Sequence, residues 1–199
     1  MDKKKLFIVH GFMAKPSDHW FPWLKCEAEK QNIDVIIPEL PSPESPALSE
    51  WLTVLRDSVG KIDNKTWFVA HSLGCVTILR LLAQLTVNEM PAGIILVAGF
   101  NETLPIWRQH GLSEMDAFIY PPLEMGQIVN GVKHRYVIGS LDDTIVPTEL
   151  TLKLSQQLNA PFYALPDSGH FLGDDGINEL PLVLQLLTYP LRSNPDVVS

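Results

Sequence analysis

Thr66-Trp67-Phe68-Val69-Ala70-His71-Ser72-Leu73-Gly74-Cys75-Val76-Thr77-Ile78-Leu79-Arg80-Leu81-Leu82 changes character half-way along. Residues 66–70 are β-branched, aromatic and uncharged, the pattern of a buried strand, whereas the run from Leu73 reads as a helix. A tight turn between them leaves Ser72 at its tip. Strand and helix can approach this closely only if the residues two before and two after the serine are small. Gly74 meets that condition, and Ala70 stands where a glycine is more usual, so the match is to a relaxed G-x-S-x-G pattern. The arrangement is that of a nucleophile elbow. It would hold the Ser72 hydroxyl proud of the sheet edge, beside the free N–H groups of a helix start.

Three other segments supply what a serine nucleophile needs. A hydroxyl is a weak nucleophile near neutral pH, so it requires a histidine base and an acid that orients the base. Tyr136-Val137-Ile138-Gly139 reads as a strand running into Ser140-Leu141-Asp142-Asp143-Thr144-Ile145-Val146-Pro147, which puts an acid at a strand's C-terminal edge. Asp142 and Asp143 are adjacent and project differently. The spacing Asp-x-x-Val-Pro, with the proline opening the next helix, selects Asp143. Phe162-Tyr163-Ala164-Leu165 is a short strand leading to Pro166-Asp167-Ser168-Gly169-His170-Phe171, the expected place for the base. At the start, Leu6-Phe7-Ile8-Val9 ends in His10-Gly11-Phe12, a turn that can aim a backbone N–H at a developing oxyanion. The N–H groups of Phe12 and Leu73 would form that hole.

These residues give the chain a specific resemblance. It resembles the small α/β-hydrolases that include the retinoblastoma-binding protein nine hydrolase and the bacterial YdeN-like hydrolases, the latter most closely. The similarity rests on His10-Gly11-Phe12, residues 19–25 (His-Trp-Phe-Pro-Trp-Leu-Lys), residues 69–75, Gly93-Ile94-Ile95-Leu96-Val97, Asp142-Asp143 and Gly169-His170-Phe171. It covers nearly the whole chain and is weakest from about Glu102 to Val132. The resemblance implies a Ser-Asp-His hydrolase, carried here by Ser72, Asp143 and His170. The mammalian member's Leu-x-Cys-x-Glu partner motif is not matched, because Leu24-Lys25-Cys26-Glu27 continues with Ala28.

Composition sets the bounds. The chain has 199 residues, 46% hydrophobic and 19% charged, which suits one domain over residues 1–199 that buries about 70% of its unfolded surface. A net charge of −8 and a pI near 5.1 argue against nucleic acid or an anionic membrane as partner, since both demand clustered cations. The one basic run, Lys3-Lys4-Lys5, precedes too short an apolar stretch for a signal peptide, and no long apolar segment follows. The expectation is a cytoplasmic protein. Two cysteines, Cys26 and Cys75, are too few for a disulfide scaffold; both fall in expected helices and are taken as buried free thiols.

Strand and helix patterns alternate, the signature of a parallel sheet with helices on both faces. Expected strands are Leu6–Val9, Asp34–Ile37, Thr66–Ala70, Gly93–Val97, Tyr136–Gly139 and Phe162–Leu165. Expected helices are Trp20–Gln31, Leu48–Val59, Leu73–Leu85, Thr148–Leu158 and Leu180–Thr188. The fold class is therefore α/β, and the resemblance implies a minimal α/β-hydrolase with about six parallel strands in the order 2-1-3-4-5-6. Pro38, Pro41, Pro43 and Pro46 read as one stiff surface connection. Residues 100–133, between the fourth and fifth strands, form a short cap-like segment rich in large apolar groups. These either roof a pocket above Ser72 or pack extra helices on the sheet.

The other histidines have structural readings. His71 packs beneath the elbow, His10 shapes the oxyanion turn, and His19 is a helix-start residue facing solvent rather than the site mouth. His110 and His134 lack ligand-spaced partners, so no metal is expected. No cofactor is needed either. The function that follows is a serine hydrolase cleaving a small ester, thioester or activated amide through an acyl-enzyme. Two alternatives stay open: an acyltransferase on the same site, and a triad-bearing interaction protein with little turnover. The substrate's identity and the oligomeric state are not written in the sequence.

Overall fold

The computed structural model describes residues 3–190, so the two ends of the expected domain, 1–2 and 191–199, lie outside the described residues. Six strands, β1 (Lys5–Val9), β2 (Asp34–Ile36), β3 (Thr66–His71), β4 (Gly93–Val97), β5 (His134–Ser140) and β6 (Phe162–Leu165), make one sheet in the order β2-β1-β3-β4-β5-β6. Every neighbouring pair is parallel. β3 and β4 are buried along their whole length, which is why they read as unbroken apolar runs, while the edge strand β6 is half-exposed. This is the α/β-hydrolase architecture.

The eight helices are α1 (Phe21–Lys30), α2 (Leu48–Val59), α3 (Leu73–Leu82), α4 (Pro105–Gln109), α5 (Asp116–Ile119), α6 (Gly126–Gly131), α7 (Thr148–Gln157) and α8 (Pro181–Thr188), all within the described residues. Because side chains alternate across a strand, each strand feeds two cores. Leu6, Ile8, Trp67, Val69, Ile95 and Val97 face α1 and α8, whose Phe21, Leu24, Ala28, Val183 and Leu187 close that layer. Phe7, Val9, Phe68, Ala70, Ile94 and Leu96 face the other way, toward α2, α3 and α7. No helix among the described residues is long and apolar enough to cross a membrane.

Two expectations change, and one point left open is decided. Cys26 is exposed, because α1 buries Phe21, Leu24 and Ala28 and residue 26 falls off that stripe; Cys75 is buried. α3 ends at Leu82, three residues short of the expected Leu85. The apolar groups of the cap segment go largely into the core: Leu104, Trp107, Met115, Phe118, Ile119 and Met125 are buried in the layer formed by α2 and α3. Phe118 packs edge-on against Trp51, and its carbonyl accepts the Arg80 Nε–H at 2.7 Å, so α5 is tied to α3. Tyr120 alone of the large groups stays exposed.

Candidate active site

Parallel strands bring their C-terminal ends to one edge, and the residues that follow β1, β3, β5 and β6 meet there. Ser72, directly after β3, has φ 51° and ψ −122°, a strained backbone for any residue other than glycine. The strain is held in place by its surroundings. The Ser72 N–H donates to the Val97 carbonyl of β4 at 2.9 Å, and the Cys75 N–H returns to the Ser72 carbonyl at 2.9 Å. A Cβ on Gly74 would lie 2.5 Å from the His10 carbonyl oxygen and 2.6 Å from that of Val9. α3 therefore touches the end of β1 through a residue that cannot be larger than glycine.

His170, after β6, lies with its Nε2 2.9 Å from Ser72 Oγ and its Nδ1 2.8 Å from Asp143 Oδ2. An ionised carboxylate only accepts, so Nδ1 carries the proton and Nε2 is left as acceptor for the serine hydroxyl. All three side chains are buried. Asp143 is fixed through its second oxygen, Oδ1, which accepts the N–H groups of Ile145 and Val146 at 2.9 Å each. Its neighbour points elsewhere. Asp142 Oδ1 accepts from the Ser140 hydroxyl and from the N–H groups of Ser168 (3.0 Å) and Gly169 (3.2 Å). The Ser140 hydroxyl, then those peptide donors, hold the Asp142 carboxyl below the usual carboxylate range.

Leu73 opens α3, so its N–H is one of the four a helix leaves without an internal acceptor. Across from it, Gly11 is close enough that a Cβ there would stand 3.0 Å from Ser72 Cβ and 3.4 Å from Leu73 N. Phe12 is the next residue along and is half-buried. His10 pins this turn: it is buried, its Nδ1–H donates to the Gly11 carbonyl at 2.9 Å, and its Nε2 accepts the Leu40 N–H at 3.1 Å. Burial lowers its pKa, which keeps the ring neutral and able to accept.

The whole stretch from β1 to α8 matches one family, that of the serine hydrolases, over residues 6–189. The chain belongs to the serine hydrolase family. It is 40% identical over 185 residues to YdeN of Bacillus subtilis (strain 168), covering 93% of this chain and 95% of that protein. The serine hydrolase RBBP9 of Rattus norvegicus is 22% identical over 170 residues, 85% of this chain and 87% of its own. The crystal structure of the ydeN gene product from B. subtilis superposes with a TM-score of 0.85 at 37% identity, covering 94% of this chain and 97% of that one.

In this serine hydrolase several residues around the site escaped the sequence reading. The proline-rich loop after β2 is more than a surface connection. The Pro41 carbonyl accepts from Trp51 Nε1–H and the Pro43 carbonyl from the Met13 N–H, both at 2.8 Å, and with the Leu40–His10 bond they brace the 10–13 turn. His19 does not face solvent. It is half-buried, its ring lies 5.8 Å from that of His71, and its Nδ1 accepts the Gly173 N–H at 2.9 Å, joining the start of α1 to the turn after His170. His71 is buried beneath the elbow as expected, yet it also donates Nε2–H to the His170 carbonyl at 2.8 Å. Asp175 accepts the His170 N–H at 2.8 Å. The Asp174-Asp175-Gly176 turn was the one visible trace of that contact, and acids before a glycine are common in any loop.

Proposed function

We propose that this serine hydrolase cleaves a small ester, thioester or activated amide, with Ser72 as nucleophile, His170 as general base and acid, and Asp143 as the group that orients and stabilises the imidazolium. The observation that carries the reading is the continuous chain Ser72 Oγ, His170 Nε2, His170 Nδ1, Asp143 Oδ2, with both links at hydrogen-bond length. His170 Nε2 takes the hydroxyl proton as Oγ bonds to the carbonyl carbon, and the carbonyl π electrons move to oxygen. The N–H groups of Phe12 and Leu73 receive that oxyanion. As the tetrahedral adduct collapses, His170 returns the proton to the leaving group, leaving an acyl-Ser72 ester. Water, deprotonated by the same imidazole, then releases the acid and restores Ser72. No step calls for a cofactor.

The start of α3 directly after Ser72 supports the acyl-transfer chemistry, because the first N–H groups of a helix have no acceptor within it and are free to meet a developing oxyanion. A fluorophosphonate probe followed by a panel of p-nitrophenyl esters of increasing chain length tests the proposal. Covalent labelling that disappears in Ser72→Ala, together with turnover of at least one ester, is the expected result. A folded wild-type protein that neither labels nor turns over any ester would overturn it.

A further inference from the structure

No strand or helix holds the turn that carries His170. It follows the edge strand β6 and bends through positive φ at Asp167 (49°), Gly169 (49°) and Phe171 (59°). In such a segment the position of the imidazole depends on whatever takes its peptide groups. For His170 both are taken by side chains. Its carbonyl accepts the Nε2–H of His71 at 2.8 Å, and its N–H donates to Asp175 Oδ2 at 2.8 Å. The same Asp175 oxygen accepts the Leu172 N–H at 3.0 Å, closing the turn on the far side of the histidine.

The two holders differ in kind. His71 is the last residue of β3 and immediately precedes Ser72, so its bond ties the base to the strand that carries the nucleophile. A carbonyl can only accept, which fixes the proton on His71 Nε2 and leaves Nδ1 as a lone pair, buried and without a partner among the described residues. A second proton on Nδ1 would be buried beside His170 with nothing to bond, and burial, then the neighbouring His170 imidazole, set the pKa of His71 well below the usual value. Asp175 is exposed, and its carboxylate lies against Gly169, whose φ of 49° itself favours glycine. A Cβ on Gly169 would stand 2.5 Å from Asp175 Cγ and 2.7 Å from each carboxylate oxygen, so the carboxylate fills the space a side chain there would need.

Resting on the reading of Ser72 and His170 as nucleophile and base, we propose that His71 and Asp175 are positioning residues that hold His170 against Ser72 by its main-chain carbonyl and N–H. Neither touches the reacting atoms. They act on kcat by keeping the Nε2 to Oγ separation short.

The test compares Asp175→Ala, Asp175→Asn, His71→Leu and His71→Gln on a p-nitrophenyl ester that the wild type turns over, with circular dichroism and thermal melts for the fold. Asp175→Ala and His71→Leu should each lower kcat about 10²-fold, the effect of a misplaced catalytic group, while KM stays within about threefold. Asp175→Asn keeps an acceptor oxygen and His71→Gln keeps an N–H donor, so each should recover most of the loss. His71→Leu disturbs the core, but Asp175 lies at the surface and its variants keep the fold. Wild-type kcat in folded Asp175→Ala, or an Asp175→Asn as impaired as the alanine variant, overturns the proposal. Ser72→Ala and His170→Ala in the same assay separate the two readings: if either retains turnover the nucleophile and base assignments fall, whereas if both are inactive and Asp175→Ala is unaffected only the positioning role falls.

Discussion

Ser72 sits in a conformation that its neighbours impose, so removing its hydroxyl leaves the backbone restraints in place. Ser72→Ala should therefore fold normally and lose ester turnover by several orders of magnitude, checked by kcat beside a thermal melt; retention of more than about a tenth of the activity would reject Ser72 as nucleophile. The adjacent acids offer a sharper contrast. Asp143 contacts the imidazole and Asp142 contacts the peptides of 168 and 169, so Asp143→Asn should cost on the order of 10⁴ in kcat. Asp142→Asn keeps an oxygen for those peptides and should cost far less. The reverse ranking in steady-state kinetics would move the orienting role to Asp142. Ser72, Asp143 and His170 could be singled out in the sequence because each lies in a short local pattern at a strand end. His71, His19 and Asp175 could not be assigned their contacts, since these depend on which loop arrives 99, 154 or 5 residues away and on the tautomer it meets.

The elements that place the site were legible where one face or one length decided them. β3, β4 and α2 have the bounds or nearly the bounds their patterns predict, because the unbroken apolar runs of the two strands and the one-sided stripe of the helix each have one burial solution. The cap segment was not, because short helices of four to six residues carry too few positions to show a stripe. Nor did the proline spacing reveal that the loop after β2 braces the 10–13 turn, a role played by its carbonyls and the Leu40 N–H rather than its side chains. The contact between α3 and β1 at Gly74 is a tight joint of backbone against backbone. Gly74→Ala forces a methyl to within 2.5 Å of the His10 oxygen, an atom with no rotamer to escape into, so helix and strand must part. The expected outcome is a loss of about 1–3 kcal/mol in denaturant unfolding, the usual scale of overpacking, together with reduced kcat as the elbow shifts. Unchanged stability and turnover in Gly74→Ala would show that the joint has slack.

At the scale of the whole molecule, the site edge concentrates neutral histidines. Burial lowers the pKa of His10, His19 and His71 below the ordinary 6.5, and each uses a ring nitrogen as a donor or acceptor that the neutral form supplies. The unfolded chain binds protons on these rings more readily than the folded one. Their contribution is therefore complete above about pH 6.5 and is lost as the pH falls below it. The lowered pKa values of Asp63 and Asp142 have the same sign and extend the loss to more acid solution. For His71, fully buried, the linkage slope in that range is at most about 1.4 kcal/mol per pH unit. Thermal melts between about pH 7.5 and about pH 5 should show Tm falling steadily toward acid. His71→Gln, which keeps the donor to the His170 carbonyl but cannot take up a proton, should lose less Tm over the same interval than the wild type, with His10 and His19 accounting for what remains. Equal losses in the two proteins would mean that His71 takes no part in the acid lability and gains its proton as easily in the fold as outside it.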